Sequence, residues 1–145
     1  MSDIKKADSL EKGLRDIFVK TVGEADVVFF SGMTGNLDLS MVNEDFCKKN
    51  AFGSRIINPS LLLGLMLTAA QKVTGPGYVC QSQNADFSAP VHLGETITGE
   101  AEIQAIDSKK GVITFTTRCV NETDRVVAKG ELVLSYYLGE GDKRC

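Results

Sequence analysis

The chain has 145 residues, of which 43% are hydrophobic and 24% are charged, and these values are typical of one globular domain with a single core. The net charge is −3 and no basic run is present, which argues against nucleic acid and against an anionic membrane surface as partners. We therefore interpret residues 1–145 as a single domain, with residues 1–12 as either a loose, flexible polar arm or a short helix.

The cysteine and histidine content argues against a metal centre. Cys47, Cys80, Cys119 and Cys145 are spread along the chain without C-x-x-C spacing, and His92 is the only histidine. Zinc sites need clustered ligands of these two types, so we expect neither a metal nor a cofactor.

The sequence contains no pattern typical of secretion or of a membrane span. No apolar stretch follows basic residues near the start, and the longest apolar run, over residues 61–70, is too short to cross a bilayer. We expect free thiols and a reducing, cytoplasmic location, with no membrane partner.

The first third of the chain predicts a strand and two short helices. Residues 14–22 have the composition of a strand that ends before Gly23. Glu24 and Asp26 then stand where acidic side chains favour a helix start, which predicts a short helix over residues 24–32. A polar loop over residues 34–40 and a small helix over residues 44–50 follow.

A strongly apolar helix is predicted over residues 58–74. Asn58 is a good N-cap, and Pro59 suits the first helical position because its missing N–H is not needed there. The residues that follow leave no polar face, so we expect this helix to be buried on nearly all sides. These apolar residues are Leu61, Leu62, Leu63, Leu65, Met66 and Leu67.

After Gly77 the pattern changes to the period of two that is typical of strands. Ile97, Ala101, Ile103 and Ala105 alternate with polar residues, which predicts one wet face. A hairpin turn at residues 108–111 leads into a strand over residues 112–120, and a second turn leads into a strand over residues 125–137. One buried helix followed by consecutive antiparallel strands predicts the α+β class.

Residues 31–67 carry a recognisable order of elements, namely a polar loop, a small helix, a Gly-Ser-Arg turn and the apolar helix. The segment reads SGMTGNLDLSMVNEDFCKKNAFGSRIINPSLLLGLML. It resembles the MaoC-like (R)-specific enoyl-CoA hydratase and dehydratase family, and residues 81–91 and 94–98 are similar to the family's second and third strands. The resemblance implies the hotdog fold, in which an antiparallel sheet wraps around the central helix. It also implies a homodimer or higher homo-oligomer, with an acyl-thioester tunnel at the subunit interface.

The family's chemistry is the addition or removal of water at the double bond of an acyl thioester. A carboxylate and an imidazole bind one water molecule, and one of them removes a proton while the other delivers one. A backbone N–H at the helix start binds the thioester oxygen. The family's loop reads Ser-Gly-Asp-x-Asn-Pro-x-His and its helix opens with His-Gly. Here the acid position is Met33, the base position is Asp38, and His-Gly is replaced by Asn58-Pro59. Because Met33 carries no proton and Pro59 has no N–H, these substitutions indicate a changed or lost reaction.

The candidate site follows from these positions. Asp38 and Asn36 are the candidates for catalysis, and the candidates for substrate contact are Asn58, Ser60, Arg55 and Met33. Asp38 is either a partly desolvated base with a raised pKa or the cap of a turn or helix. Asn36 either orients a water or the thioester carbonyl, or forms an ordinary turn.

Alternatives also remain open for the other polar residues. Asn58 is either a hydrogen-bond partner of the substrate or a simple N-cap, and Arg55 either anchors its turn or meets a CoA phosphate. Residues 81–84 are unusually polar for a strand and suit either a tunnel wall or a dimer seam. We expect His92 to be an exposed turn residue with no catalytic part.

Three functions compete at this point. The first is a hydratase or dehydratase with an altered site, acting on acyl-CoA or acyl-carrier thioesters, and the resemblance favours it. The second is a thioesterase that uses Asp38 alone, with the N–H groups of Ser60 and Leu61 on the carbonyl. The third is a non-catalytic protein that binds acyl thioesters or acts as an assembly partner.

Overall fold

The computed structural model describes residues 7–138. A short 3-10 turn, Ala7–Ser9, precedes the first strand. The helices are α1 Glu24–Thr34, α2 Leu39–Val42, α3 Glu44–Lys48 and α4 Ser60–Thr74. The strands are β1 Arg15–Thr21, β2 Tyr78–Phe87, β3 Thr96–Asp107, β4 Val112–Val120 and β5 Val126–Tyr136.

The five strands form one antiparallel sheet in the order β1-β3-β4-β5-β2. The hairpins β3-β4 and β4-β5 join neighbouring strands, whereas β1 and β2 lie at the two edges. Helix α4 packs mainly against β1 and β3, on one face of the sheet. This is the predicted α+β, hotdog arrangement, with the antiparallel sheet wrapped around the central helix.

The core consists of two clusters, one packed against the first half of α4 and the other against its second half. Leu62 and Met66, in the first half of the helix, pack in a cluster with Ile97 of β3. Ala69 and Phe115, from the second half of the helix and from β4, belong to the other cluster. The small alanine allows the helix to lie close to the sheet, so the central helix connects both parts of the core.

The alternation predicted for β3 fails at Ala105. Ile97, Ala101 and Ile103 are buried as expected, but Ala105 is exposed and Ile106 packs against the core in its place. The register of the β3-β4 pair shifts between Ile103 and Ala105. Such a bulge inserts one extra residue and moves the following side chains to the opposite face.

The start of the chain also differs from the prediction. Residues 1–6 lie outside the described part, but Ala7 and Leu10 are buried in the core. The loose arm is therefore wrong from Ala7 onwards, whereas the alternative of a short helix agrees with the 3-10 turn Ala7–Ser9. Two apolar residues three positions apart were enough to fix this segment, although its overall composition is polar.

Several helix and strand boundaries differ from the predicted ones by a few residues. Helix α1 runs two residues past Gly32 to Thr34, and Gly35, which has a positive φ of 75°, follows it as the C-cap. Helix α2 was not predicted as a helix, and α3 ends at Lys48 rather than at residue 50. Strand β2 runs over Tyr78–Phe87, whereas the family resemblance had placed it over residues 81–91.

Helix α4 is not buried on nearly all sides, as its sequence had predicted. Leu62, Leu65 and Met66 are buried against the sheet, whereas Leu61 is only half-buried and Gly64 is exposed. The sheet covers one side of the helix, and the short helices before it do not cover the rest. An apolar helix surface therefore remains open.

Within residues 7–138, no helix combines the length and the apolar character that crossing a membrane requires. Cys47, Cys80 and Cys119 are free thiols, and Cys145 lies outside the described residues. The described part of the chain also contains no group of three or more His, Cys, Asp or Glu side chains placed to hold a metal ion.

Candidate functional site

The loop that follows α1 is organised by short-range hydrogen bonds from side chains. The N–H of Asn36 donates to Thr34 Oγ1, and the N–H of Asp38 donates to Asn36 Oδ1, each at 3.2 Å. Asp38 caps α2, since its Oδ2 accepts the N–H of Ser40 at 3.0 Å and also accepts the hydroxyl of Ser40. Of the two interpretations of Asp38, the structure therefore shows the cap.

The environment of Asp38 favours its ionised form. The side chain is exposed, and the hydroxyl and backbone N–H of Ser40 lower the pKa of Asp38 below its ordinary value. Hydrogen bonds to the charged form outweigh the small effect of burial here. The raised pKa expected from desolvation is thus wrong, and Asp38 carries its charge at neutral pH.

Two backbone hydrogen bonds fix this loop beside the start of α4. The N–H of Ile56 donates to the carbonyl of Ser40, and the N–H of Ile57 donates to the carbonyl of Val91, both at 2.9 Å. The loop, the segment before α4 and the turn after β2 are therefore joined at one place, although they are distant in sequence.

The first N–H groups of α4 donate hydrogen bonds to the residue that precedes Pro59. Asn58 Oδ1 accepts the N–H of Ser60 at 3.0 Å, and the carbonyl of Asn58 accepts the N–H of Leu61 at 3.0 Å. The Asn58 side chain thus binds the first N–H of the helix, as a cap does, but α4 begins at Ser60 with Pro59 in the N-cap position, one residue later than predicted. The N–H groups that a thioesterase would need at Ser60 and Leu61 are occupied, so that part of the prediction is wrong.

One backbone donor remains at this end of the helix. Among the residues that the structure describes, the N–H of Asn58 has no hydrogen-bond partner, and Asn58 is half-buried. Pro59 has no N–H to offer. The Asn58 N–H is therefore the backbone group at the start of α4 that can bind an oxygen atom of a ligand.

These segments enclose a pocket of about 230 Å³. Three of the predicted site residues, Asn36, Asp38 and Asn58, meet in its wall. The remaining lining residues are Ser40, Met41, Ile56, Ile57 and Pro59. The sequence did not single out Ser40 or Met41. The position of Ser40 two residues after Asp38 was the available signal, because this spacing is typical of a side-chain cap.

Met33 and Ser60 lie in a different cavity. Both line an open groove of about 490 Å³ between α1 and α4, together with mainly apolar side chains. Met33 is 77% exposed. The acid position of the family motif therefore faces an apolar groove here, whereas the base position lines the small pocket.

Arg55 lines neither cavity. Its Nη1 and Nη2 atoms bind the carboxylate of Glu24 at 2.6 and 3.0 Å, and its Nε donates to the carbonyl of Met41 at 2.6 Å. The guanidinium lowers the pKa of Glu24. The structure thus shows the anchoring role that the sequence left open, joining α1 to α2, and the contact with a CoA phosphate stays a prediction.

His92 is half-buried and held in place, not an exposed turn residue as expected. Its Nε2 lies 2.9 Å from the carbonyl oxygen of Phe52, and its N–H donates to Glu95 at 2.8 Å. It also forms an isolated β-bridge with Ile56. These contacts fix the turn before α4, and His92 lines neither of the two cavities.

The wrapped antiparallel sheet and the pocket at the start of its central helix define a protein of the hotdog-fold class. The chain belongs to the MaoC-like domain family, whose model matches residues 7–125. The resemblance of residues 31–67 is thereby confirmed at the level of the family.

Individual relatives agree with this assignment. The chain is 29% identical over 125 residues to an (R)-specific enoyl-CoA hydratase of Rhodospirillum rubrum, covering 86% of each protein. It is 30% identical over 128 residues to a 3-hydroxybutyryl-CoA dehydratase of Methylorubrum extorquens, covering 88% of this chain and 81% of the relative. Its fold matches the solved (R)-hydratase of Aeromonas caviae with a TM-score of 0.84 at 27% identity, covering 88% of this chain and 98% of that one.

Proposed function

We propose that this protein binds an acyl thioester at the start of α4 and adds or removes water across its C2–C3 bond, with Asp38 as the proton-transfer group. The observation that carries the proposal is the meeting of Asn36, Asp38 and Asn58 in one pocket at the end of the central helix. The printed names of the relatives, an enoyl-CoA hydratase and a 3-hydroxybutyryl-CoA dehydratase, support it.

The thioester oxygen is assigned to the backbone N–H of Asn58. Negative charge develops on this oxygen when water adds to C3, and a fixed N–H donor stabilises that charge. The donor that the family motif places one residue later is absent because Pro59 has no N–H. The unpartnered N–H of Asn58 is the group available to replace it.

Asp38 is assigned both proton steps. In hydration, its carboxylate accepts a proton from water while the water oxygen bonds to C3, and the resulting carboxylic acid returns a proton to C2. Asn36 holds the water through its amide nitrogen, because its Oδ1 already accepts the N–H of Asp38. The lowered pKa makes Asp38 a weak base, so we expect slow turnover.

We further propose that the handle of the substrate is a CoA or carrier-protein thioester, and that the protein acts as a homodimer in the cytoplasm. Strand β2 supports the dimer, since it is a sheet edge and pairs with β5 on one side. Gln83 Nε2 donates to the carbonyl of Leu63 at 2.9 Å, which places this polar strand against the half-exposed side of α4.

Asp38→Asn is expected to reduce hydration of but-2-enoyl-CoA at least about 100-fold, which is the usual minimum for loss of a general base. Asparagine keeps an oxygen that can cap α2, so the fold should persist. The measurement is the loss of absorbance of the conjugated thioester. In the wild type, the rate should stay constant down to mildly acidic pH and fall only below the ordinary carboxyl pKa of about 3.9, since protonation removes the base and the pKa of Asp38 is lowered.

Asp45→Asn is the matched control, because Asp45 is an exposed carboxylate on α3 that lies outside the pocket. Its rate should equal that of the wild type. Hydration that survives Asp38→Asn at an unchanged rate would remove Asp38 from the mechanism.

A second function is non-catalytic binding of an acyl thioester. It is favoured by the hydrogen bonds that the Asp38 carboxylate already accepts within the protein. This carboxylate accepts two hydrogen bonds from Ser40, and no second proton-transfer group lines the pocket within the described residues. Thermal stabilisation by butanoyl-CoA, without hydration of a 2-enoyl-CoA of any chain length, would select this function. Release of free CoA thiol would select the thioesterase, which the occupied N–H groups of Ser60 and Leu61 disfavour.

A further inference from the structure

Strand β1 is one of the two edge strands of the sheet, and it pairs only with β3 in the described part of the chain. In an antiparallel pair, alternate residues turn both of their backbone groups toward the partner strand. The N–H of Ile103 donates to the carbonyl of Leu14 at 2.8 Å. The N–H of Val22 donates to the carbonyl of Glu95 at 3.0 Å. The even-numbered residues of this segment therefore bond to β3, and the odd-numbered ones turn both groups outward, to the β1 edge.

This edge carries features that favour pairing with another chain. Ile17 and Val19 lie on it, and their side chains are 39% and 52% exposed. Among the residues that the structure describes, none binds the backbone of Val19. Outward N–H and C=O groups beside exposed β-branched side chains are a template on which a further strand can form.

Two charged side chains occupy the middle of the β1 edge. The N–H of Ile17 donates to Asp16 Oδ1 at 2.7 Å, and Lys72 Nζ, from the last turn of α4, donates to the carbonyl of Ile17 at 2.6 Å. Lys72 Nζ and Asp16 Oδ1 are 3.4 Å apart. Both outward groups of Ile17 are therefore bonded within the molecule.

The position of this ion pair interrupts the edge where an interruption has the largest effect. Ile17 lies between Arg15 and Val19, the neighbouring residues whose backbone groups also point outward. An approaching strand would have to displace the Lys72 and Asp16 side chains and desolvate their charges to form a continuous ladder. Strand β2, the opposite edge, carries uncharged polar side chains at residues 81–84.

We infer that Asp16 and Lys72 close the β1 edge against a second copy of this chain, so that edge-to-edge assembly is restricted to β2. A chain with two open edges can add copies at both ends and form open-ended assemblies, whereas a chain with one open edge stops at a closed pair. This inference goes beyond the proposed function and does not depend on the chemistry at Asp38.

Amide hydrogen exchange of the wild-type protein tests the closed edge directly. After correction for intrinsic rates, the Ile17 amide should exchange at least about tenfold more slowly than the Val19 amide, because a hydrogen bond to a carboxylate protects it. Equal protection of both amides would show that another strand covers the edge. Equally fast exchange would show that the Asp16 bond is absent. Either result overturns the inference.

Lys72→Met removes the ammonium group and keeps a long apolar stem, which opens the carbonyl of Ile17. In sedimentation velocity, the mass of the particle should rise with protein concentration to at least about twice that of the wild type, as pairing of two β1 edges requires. Lys72→Arg keeps a donor and should behave as the wild type. Lys49→Met is the matched control, because Lys49 is an exposed lysine after α3 and lies outside every described strand.

Val19→Pro separates strand pairing from unspecific aggregation. Proline removes an outward N–H and no bond to β3, so adding it to Lys72→Met should return the mass to that of the wild type. An unchanged mass in Lys72→Met, or a larger mass that Val19→Pro does not reduce, contradicts the inference. If Lys72→Met shows no urea unfolding transition, Asp16→Ala, which frees the N–H of Ile17, takes its place. None of these results depends on hydration of an enoyl-CoA, so the two proposals can fail separately.

Discussion

Gly130→Ala is expected to destabilise the protein by about 3 kcal/mol or more, at or above the upper range for overpacking. A Cβ at Gly130 would lie 1.9 Å from the carbonyl oxygen of Asn84 and 2.8 Å from the Cα of Ala85. Both are backbone atoms of β2, so no side-chain rotation relieves the collision. The edge strand would have to move away from β5.

The measurement is urea unfolding, in which the free energy of unfolding is obtained from the transition midpoint and the slope m. Gly64→Ala is the matched control, since it makes the same chemical change in open space and should stabilise the helix by about 0.5–1 kcal/mol. A Gly130→Ala variant as stable as the wild type would show that β2 does not approach β5 as closely as described.

Phe115→Ala is expected to destabilise the protein by about 3–5 kcal/mol. Phe115 is among the largest fully buried side chains, and it lies in the core cluster with Ala69 and Leu132. Truncation leaves a cavity between β4 and α4 that the alanine of the helix is too small to fill. For a chain of this length, the melting temperature should fall by roughly 10 °C.

Phe46→Ala on α3 provides the comparison, because Phe46 is 44% exposed and lies outside both core clusters. Its loss should cost about 1 kcal/mol or less. Equal effects of the two truncations in thermal unfolding would contradict the placement of Phe115 at the centre of the core.

The elements predicted correctly from the sequence are those with a clear hydrophobic periodicity or a clear helix-capping residue. The alternation in β4 correctly placed Ile113, Phe115 and Cys119 on the buried face. The Asn58 side chain binds the N–H of Ser60 at the start of α4, as its position before Pro59 predicted. Both signals are local, since neighbouring residues alone determine the periodicity of a strand and the hydrogen bond of a cap.

The failures concern features that depend on distant parts of the chain. The bulge that turns Ala105 outward arises from the register with β4, and a period of two cannot reveal it. Whether one side of α4 is exposed depends on which other elements pack against it. The hydrophobicity of Leu61 or Leu63 shows only that these side chains favour burial. Burial is a property of the whole fold in these cases.

The candidate site was predictable in part for the same reason. Asp38 and Asn58 were found from the family motif, and the structure places both in one pocket. The effect of Ser40 on the pKa of Asp38 was missed, because sequence does not show which way a hydroxyl points. The pairing of Arg55 with Glu24, 31 positions away, is likewise set by the fold.

The central claim is that an acyl thioester lies at the start of α4, in the pocket lined by Asp38 and Asn58. A crystal structure of the full chain with octanoyl-CoA tests this most directly. We expect the thioester oxygen to lie within hydrogen-bond distance of the Asn58 backbone nitrogen, in the pocket that contains Asp38. A thioester bound elsewhere, with this pocket empty, would contradict the account.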